Sequence, residues 1–300
     1  MEDLLARRDD GRVKPFSRIL IETTGLADPA PILHTLMSHD RLLARLRLEA
    51  VVTVVDAVNG LATLDQHEEA VKQVAVADRI VLTKADLLVG REGEDKLHAI
   101  IARLRALAPG ARLLDAYSGE ATAARLINAG LYDTARKSPE VRRWLNAEAY
   151  ELGRGGHHHH GHDHDHDHDH DHDHDHDHAH SRHDGIMAYS VSIDGALSPA
   201  ALELFIDLLR SYHGPKLLRV KGIIRVSDDE SRPVVIHGVQ HVFHPPVRLA
   251  AWPDADHASR LVVIARDLPK DQIEGLLKAF SDPLTGNGVS AFDDTLSLRR

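Results

Sequence analysis

Over the first 120 positions, short aliphatic runs alternate with longer amphipathic stretches. Arg18-Ile19-Leu20-Ile21-Glu22, Ala50 to Asp56 and Arg79 to Thr83 are dense in Ile, Val and Leu, with Arg112 to Ala116 a weaker fourth. Unbroken β-branched runs of this length predict strands buried on both faces. Between them, Ala30 to Leu48, Leu61 to Ala77 and Glu94 to Leu107 carry helical spacing, the last closed by Pro109-Gly110. Strand and helix in alternation predict right-handed crossovers, a parallel sheet and ligands at the carboxyl ends of its strands.

Beyond residue 184 the rhythm changes. Ile186 to Ile193 reads as a strand, and Ser198 caps a helix reaching about Tyr212. Leu217 to Val226, Val234 to Phe243 and Arg260 to Arg266 read as further strands, and Lys270 to Phe280 as a last helix. This is an α+β unit with a mostly antiparallel sheet. The chain therefore divides into an α/β domain over 1–152, a linker over 153–184, expected to be disordered, and a smaller domain over 185–300.

The linker holds the least ordinary chemistry. From His162 to His178 histidine alternates with aspartate, nine imidazoles and eight carboxylates without interruption. The candidate metal ligands are His157, His158, His159, His160, His162, His164, His166, His168, His170, His172, His174, His176, His178 and His180. Imidazole suits zinc, cobalt, nickel and copper, and the carboxylates add oxygen ligands and a field favouring dications. The plain alternatives are a solvated low-complexity linker or a cloning tag, but a tag is ordinarily terminal and purely histidine. Many equivalent ligand sets without packing partners predict several labile sites of moderate affinity. Their affinity should fall as pH drops through the imidazole range, near about 6.5, because protons compete for the same nitrogens.

Charge and composition narrow the classes further. The net charge is −10, mostly from the eight aspartates of the run, so the body is near balance and neither nucleic acid nor an anionic membrane is an expected partner. No cationic leader or long apolar segment is present, so the expected location is the cytoplasm. With no cysteine, disulfides and thiolate metal sites are excluded for these 300 residues.

Two motifs lie at ends of predicted strands. Glu22-Thr23-Thr24-Gly25 places an acid three residues before a glycine, the geometry with which P-loop nucleotidases sense Mg²⁺ and a terminal phosphate. Alone it is equally a helix cap. Thr83-Lys84-Ala85-Asp86 suits guanine: the lysine stem packs on the base and the aspartate accepts from the N1 and N2 edge, a donor pair adenine lacks. Alone it fits a surface turn as well. Asp56 either lines the same site or caps a helix. His237 and His241, four apart on one expected strand and about 13 Å from each other, are too distant to share an ion and read as structural. His34, His39, His67 and His98 show no shared metal spacing and are assigned nothing.

Glu22 to Pro29, Val51 to Asp56, Thr83 to Asp86, the histidine-rich linker, Leu217-Leu218-Arg219-Val220-Lys221-Gly222 and His237-Gly238-Val239-Gln240 together resemble the CobW-type GTPases, in order and over nearly the whole chain. The resemblance implies a P-loop GTPase domain joined to a small carboxyl-terminal domain, using GTP and Mg²⁺ to deliver Zn²⁺ or Co²⁺ to a metal-dependent client protein, cobalamin synthesis included. It implies that Glu22 and Gly25 face Mg²⁺ and γ-phosphate, and that Thr83, Lys84 and Asp86 hold guanine. The family's G-x-x-x-x-G-K-[ST] loop and C-x-C-C motif are both lacking from these residues, and Met1 to Arg8 is similar to the tail of the helix that follows them. The expected fold is thus an incomplete P-loop GTPase-like sheet whose Arg18–Glu22 strand becomes an edge and whose first domain is marginal. A misassigned start or a truncated gene is the expected origin. GTP hydrolysis is uncertain on this reading, and the rivals are a metal-buffering protein without GTPase activity and a truncated, nonfunctional product.

Overall fold

A computed structural model describes residues 1–127 and 185–281. The His/Asp run with its fourteen candidate ligands, and the whole linker over 153–184, lie outside the described residues.

The first unit opens with α1 (Glu2–Asp9), α2 (Ala30–Ser38) and α3 (Asp40–Leu43). The α/β alternation follows: β1 (Val52–Asp56), α4 (Gly60–Gln66), α5 (Glu68–Ala75), β2 (Arg79–Thr83), α6 (Gly90–Leu107), β3 (Arg112–Asp115) and the single turn α7 (Ala123–Leu126). The three strands form a parallel sheet in the order β1-β2-β3, with Asp56 opposite Thr83 and Leu82 opposite Asp115. Val55, Leu82, Val71, Val74, Ile100 and Leu104 close its core between sheet and helices. The opposite face of β1 is open, with Val54 66% exposed.

The second unit contains β4 (Ile186–Ile193), α8 (Pro199–Leu208), a π-helical turn at Leu209–His213, β5 (Leu217–Ile224), β6 (Val234–Val239), β7 (Val242–Phe243), β8 (Val247–Arg248), β9 (Ser259–Arg266) and α9 (Lys270–Ser281). Its antiparallel sheet runs β4-β9-β5-β6-β7, with β8 beside β6. The helices cover one face, where Phe205, Leu209, Ile273 and Leu277 meet Val191, Val220 and Val263. The Ser198 hydroxyl accepts from the Ala201 N–H, the expected cap. The fold is thus a three-stranded parallel P-loop GTPase-like sheet with helices, followed by a carboxyl-terminal antiparallel unit.

Several expectations are corrected. Arg18 to Glu22 is not a strand: Leu20 is 87% exposed, and the segment is held by the Arg18–Glu49 ion pair. An aliphatic run becomes a strand only when a neighbour accepts its backbone hydrogen bonds, and among the described residues none does. The single helices expected over 30–48 and 61–77 break at His39 and His67, both extended. The strand expected over 234–243 turns at Gln240, whose φ is 51°, so His241 sits in a hairpin turn and not along one strand with His237.

The two units pack against each other. Leu33 and Met37 of α2 meet Val239 and Val242 of the β6–β7 hairpin, and Ala75 of α5 meets Leu218 and Ile264. At their centre lies a buried ionic cluster. Asp78, just before β2, accepts from Arg219, from Lys221 Nζ at 2.6 Å and from the Val51 N–H at 2.9 Å, while Arg219 also donates to the Val76 carbonyl. Burial raises the Asp78 carboxyl, but Arg219 and Lys221 outweigh that and hold it well below the usual carboxylate range. Burial, then the Arg219 charge, lower Lys221 to about 8 against the pull of Asp78. His237, opposite Lys221 in the ladder, is pushed well below its ordinary value by burial and by both cations. It is buried in this cluster.

Candidate functional site

Parallel pairing puts the ends of β1, β2 and β3 side by side. Asp56 ends β1 and accepts from the Val58 N–H at 2.8 Å, the Asn59 N–H at 3.3 Å and Asn59 Nδ2 at 3.1 Å, the turn that starts α4. It also accepts from Lys84 Nζ at 2.8 Å. Asp56 thus shapes the turn before α4, whose N-cap position is Asn59, and it stands at the carboxyl end of β1. Burial raises its carboxyl, yet Lys84 and the turn donors bring it down to about 2.

Directly after β2, Lys84 adopts left-handed backbone, φ 60° and ψ 21°, and opens a 3₁₀ turn over Ala85–Leu87 in which the Leu87 N–H donates to the Lys84 carbonyl. A lysine in that conformation is uncommon and costs of order 1 kcal/mol or more. The twist takes the chain abruptly out of the sheet so that Lys84 and Asp86 both surface at the rim. Thr83 Oγ1 is tied back to the Val55 carbonyl at 3.2 Å, which locks the ends of β1 and β2 together. Asp86 is exposed, and among the described residues its carboxylate has no hydrogen bond or ion pair.

A third loop joins this rim and was missed from sequence. At the end of β3 the Asp115 side chain accepts from the Tyr117 N–H at 2.9 Å, the Glu120 side chain accepts from the Asp115 N–H at 3.1 Å, and Tyr117 is 73% exposed. The signal was available, because a strand-end aspartate followed by Ser118-Gly119 is a turn at a carboxyl end.

The Gly25 backbone is held away from this rim. The carbonyls of Gly25 and Ala27 accept from Gln73 Nε2 at 3.0 and 2.8 Å, and the Gln73 carbonyl accepts from Thr53 Oγ1 at 2.7 Å, one residue into β1. Asp28 accepts from the Ala30 N–H at 2.9 Å and pairs with Lys72 at 3.1 Å. Since α5 runs down the sheet toward the start of β2, these contacts hold the segment toward the amino ends of the strands. Lys84 and Asp86 occupy the other ends. The strand end expected to carry Glu22 is not formed, because Arg18 to Glu22 is not a strand.

Asp28 is one end of a chain of charges. Lys72 also pairs with Glu68 at 3.1 Å, and Glu68 with Arg266 at the end of β9 at 2.7 Å. The exposed partners make each pair weak, about 0–1 kcal/mol. Together they join the Glu22–Pro29 region to the second sheet.

Residues 1–112 match the CobW/HypB/UreG, nucleotide-binding domain family, and residues 186–281 match the cobalamin synthesis protein CobW C-terminal domain, together more than half of the chain and in this order. The chain belongs to the CobW family. It is 29% identical over 271 residues to the zinc chaperone YjiA of Escherichia coli (strain K12), covering 90% of this chain and 73% of that protein. It is 38% identical over 82 residues to zinc-regulated GTPase metalloprotein activator 1 of Schizosaccharomyces pombe (strain 972 / ATCC 24843), covering 27% of this chain and only 19% of that relative. The crystal structure of Zn(II)-bound YjiA GTPase from E. coli superposes with a TM-score of 0.63 at 26% identity, over 93% of this chain and 75% of that one. Within the CobW fold, Thr83 to Asp86 falls inside the nucleotide-binding match and the Arg219–Lys221 cluster inside the carboxyl-terminal one. No helix among the described residues is long and apolar enough to cross a membrane.

Proposed function

We propose that this CobW-family chain is a GTP-binding metallochaperone that takes up a divalent transition metal, zinc first and cobalt second, and passes it to a client protein. The observation that carries the nucleotide half is the rim itself. Asp86 stands exposed, without a side-chain partner among the described residues, beside a lysine fixed by an unusual backbone conformation and by Asp56. An open carboxylate presented this way accepts the two N–H donors of guanine, with the Lys84 stem against the base and Thr83 bracing the strand ends. The metal half rests on the run of imidazole and carboxylate from His157 to His180 and on the zinc-related relatives. In this reading Glu22 and Gly25 meet Mg²⁺ and the terminal phosphate only after their segment leaves Gln73, so nucleotide and the Gln73 contacts compete for it.

Calorimetric titration of the full chain with Zn²⁺, with and without Mg-GTP, tests the coupling. The expected result is a change in apparent zinc affinity on adding nucleotide, reciprocated in nucleotide affinity on adding zinc. Identical isotherms would overturn it. The placement of Gly25 away from the rim favours one other reading, a metal-buffering protein whose metal sites ignore nucleotide, and identical isotherms are what it requires.

A further inference from the structure

The two histidines that sequence spacing left without a shared role, His34 and His241, come together across the interface between the two units. His34 lies on α2, which follows the Glu22–Pro29 segment, and His241 lies in the β6–β7 turn. Their ring centroids are 5.3 Å apart and the planes are tilted by 44°. This is not the geometry of a stack: His257 on Trp252 lies at 13° with centroids 5.0 Å apart. Two imidazoles on one tetrahedral zinc, with Zn–N bonds of about 2.0–2.1 Å, hold their ring centres roughly 5 Å apart.

We propose that His34 and His241 form a two-histidine site for a divalent transition metal that bridges the nucleotide-binding and carboxyl-terminal units. Both rings are exposed, so an ion reaches them without opening the fold. Neither ring makes a hydrogen bond or ion pair among the described residues, so no existing bond has to break. Their backbones are nonetheless fixed, because Leu33 and Met37 on one side and Val239 and Val242 on the other are buried together. The two rings are thus held at a spacing that one ion can bridge.

No group of three or more metal-ligating side chains occurs among the described residues, so the site ends at two. The remaining positions on the ion stay with water, and such an ion exchanges readily and is open to capture by another ligand set. Zinc, cobalt, nickel and copper all suit paired imidazoles. The inference deepens the metallochaperone reading without depending on GTP. It places a metal where occupancy fastens α2 to the second sheet.

Diethyl pyrocarbonate labelling of the full chain, resolved to single histidines by peptide mass spectrometry, tests it in chelator-buffered free Zn²⁺. Buffering keeps the linker histidines from depleting the ion. At ten times the dissociation constant, about one tenth of the site is free, so labelling of both His34 and His241 should slow about tenfold while His257 is unchanged. His34→Gln should restore His241 labelling in zinc to its metal-free rate, and His241→Gln should do the same for His34. Both residues are exposed, so neither change threatens folding. Absence of protection at either ring, or protection of His241 that persists in His34→Gln, overturns the proposal. Because no nucleotide is present, its failure is distinct from failure of GTP coupling.

Discussion

Replacing Asp78 by asparagine preserves shape at the centre of the interface and removes one charge. Arg219 and Lys221 are only 5% and 9% exposed, and Asp78 is the carboxylate both cations share. Stripping a buried pair of one partner typically costs about 3–5 kcal/mol, against a total stability of roughly 5–15 kcal/mol. The lower end is expected, because Lys221 is already lowered to about 8 and, without the attraction of Asp78, sheds its proton near neutrality. Urea denaturation followed by circular dichroism should therefore show Asp78→Asn less stable by about 3 kcal/mol at pH 7.

The sign of the pH dependence adds a second check. A lysine whose folded pKa is depressed binds fewer protons folded than unfolded, so stability rises with pH above that folded pKa. In the variant this rise begins below pH 8, whereas in the parent it begins at about 8. The deficit should thus narrow as pH goes from 6 to 8. In strong acid it should vanish, because the parent's Asp78 contribution is complete above its unfolded pKa of about 3.9 and is lost as pH falls through the depressed folded value. A variant within about 0.5 kcal/mol of the parent at pH 7, or a deficit that widens toward pH 8, would refute the electrostatic account.

Three other outcomes are expected. Asp86→Asn should weaken binding of a fluorescent guanine nucleotide by about 10- to 100-fold, the loss of charge-assisted hydrogen bonds worth about 1.5–3 kcal/mol, with little change for the adenine analogue; equal losses for both would remove base recognition from Asp86. Asp56→Ala should lower stability by about 0.5–2 kcal/mol through the turn before α4, and because the Asp56 carboxyl is lowered to about 2 the parent's advantage should persist at pH 5 and shrink toward pH 2, as denaturation midpoints would show. Gly93→Ala should cost about 1–3 kcal/mol in a urea titration, since an added Cβ would stand 2.4 Å from the Leu88 carbonyl carbon, and backbone there gives way less readily than a side chain.

The elements that sequence predicted correctly were those whose pattern is local and whose partners are present. β2 is aliphatic at Ile80, Val81 and Leu82 and is flanked on both sides by strands, so periodicity and pairing agree. Ile19-Leu20-Ile21 is just as aliphatic, but strand formation is a property of a pair, and no local pattern records whether a partner stands alongside. His39, His67 and Gln240 break longer elements through backbone angles that residue type alone does not dictate. The rim residues Thr83, Lys84 and Asp86 were legible because a polar motif at the end of an aliphatic strand has one place to go. The ionic cluster was not read from sequence, although Leu217-Leu218-Arg219-Val220-Lys221 sets two cations on one side of an otherwise aliphatic strand, a pattern that demands a buried counter-charge. What sequence did not tell was that Asp78, more than 140 positions earlier, supplies it.

The Asp78 anchorage bears on how this molecule can be engineered. Its carboxylate grips the beginnings of β1 and β2 through Val51 and its own position, while its counter-ions belong to the other half. Chimeras that swap one half for that of a cousin must therefore carry aspartate, arginine and lysine as a matched trio, and excising either half alone strands a naked charge where water had been kept out.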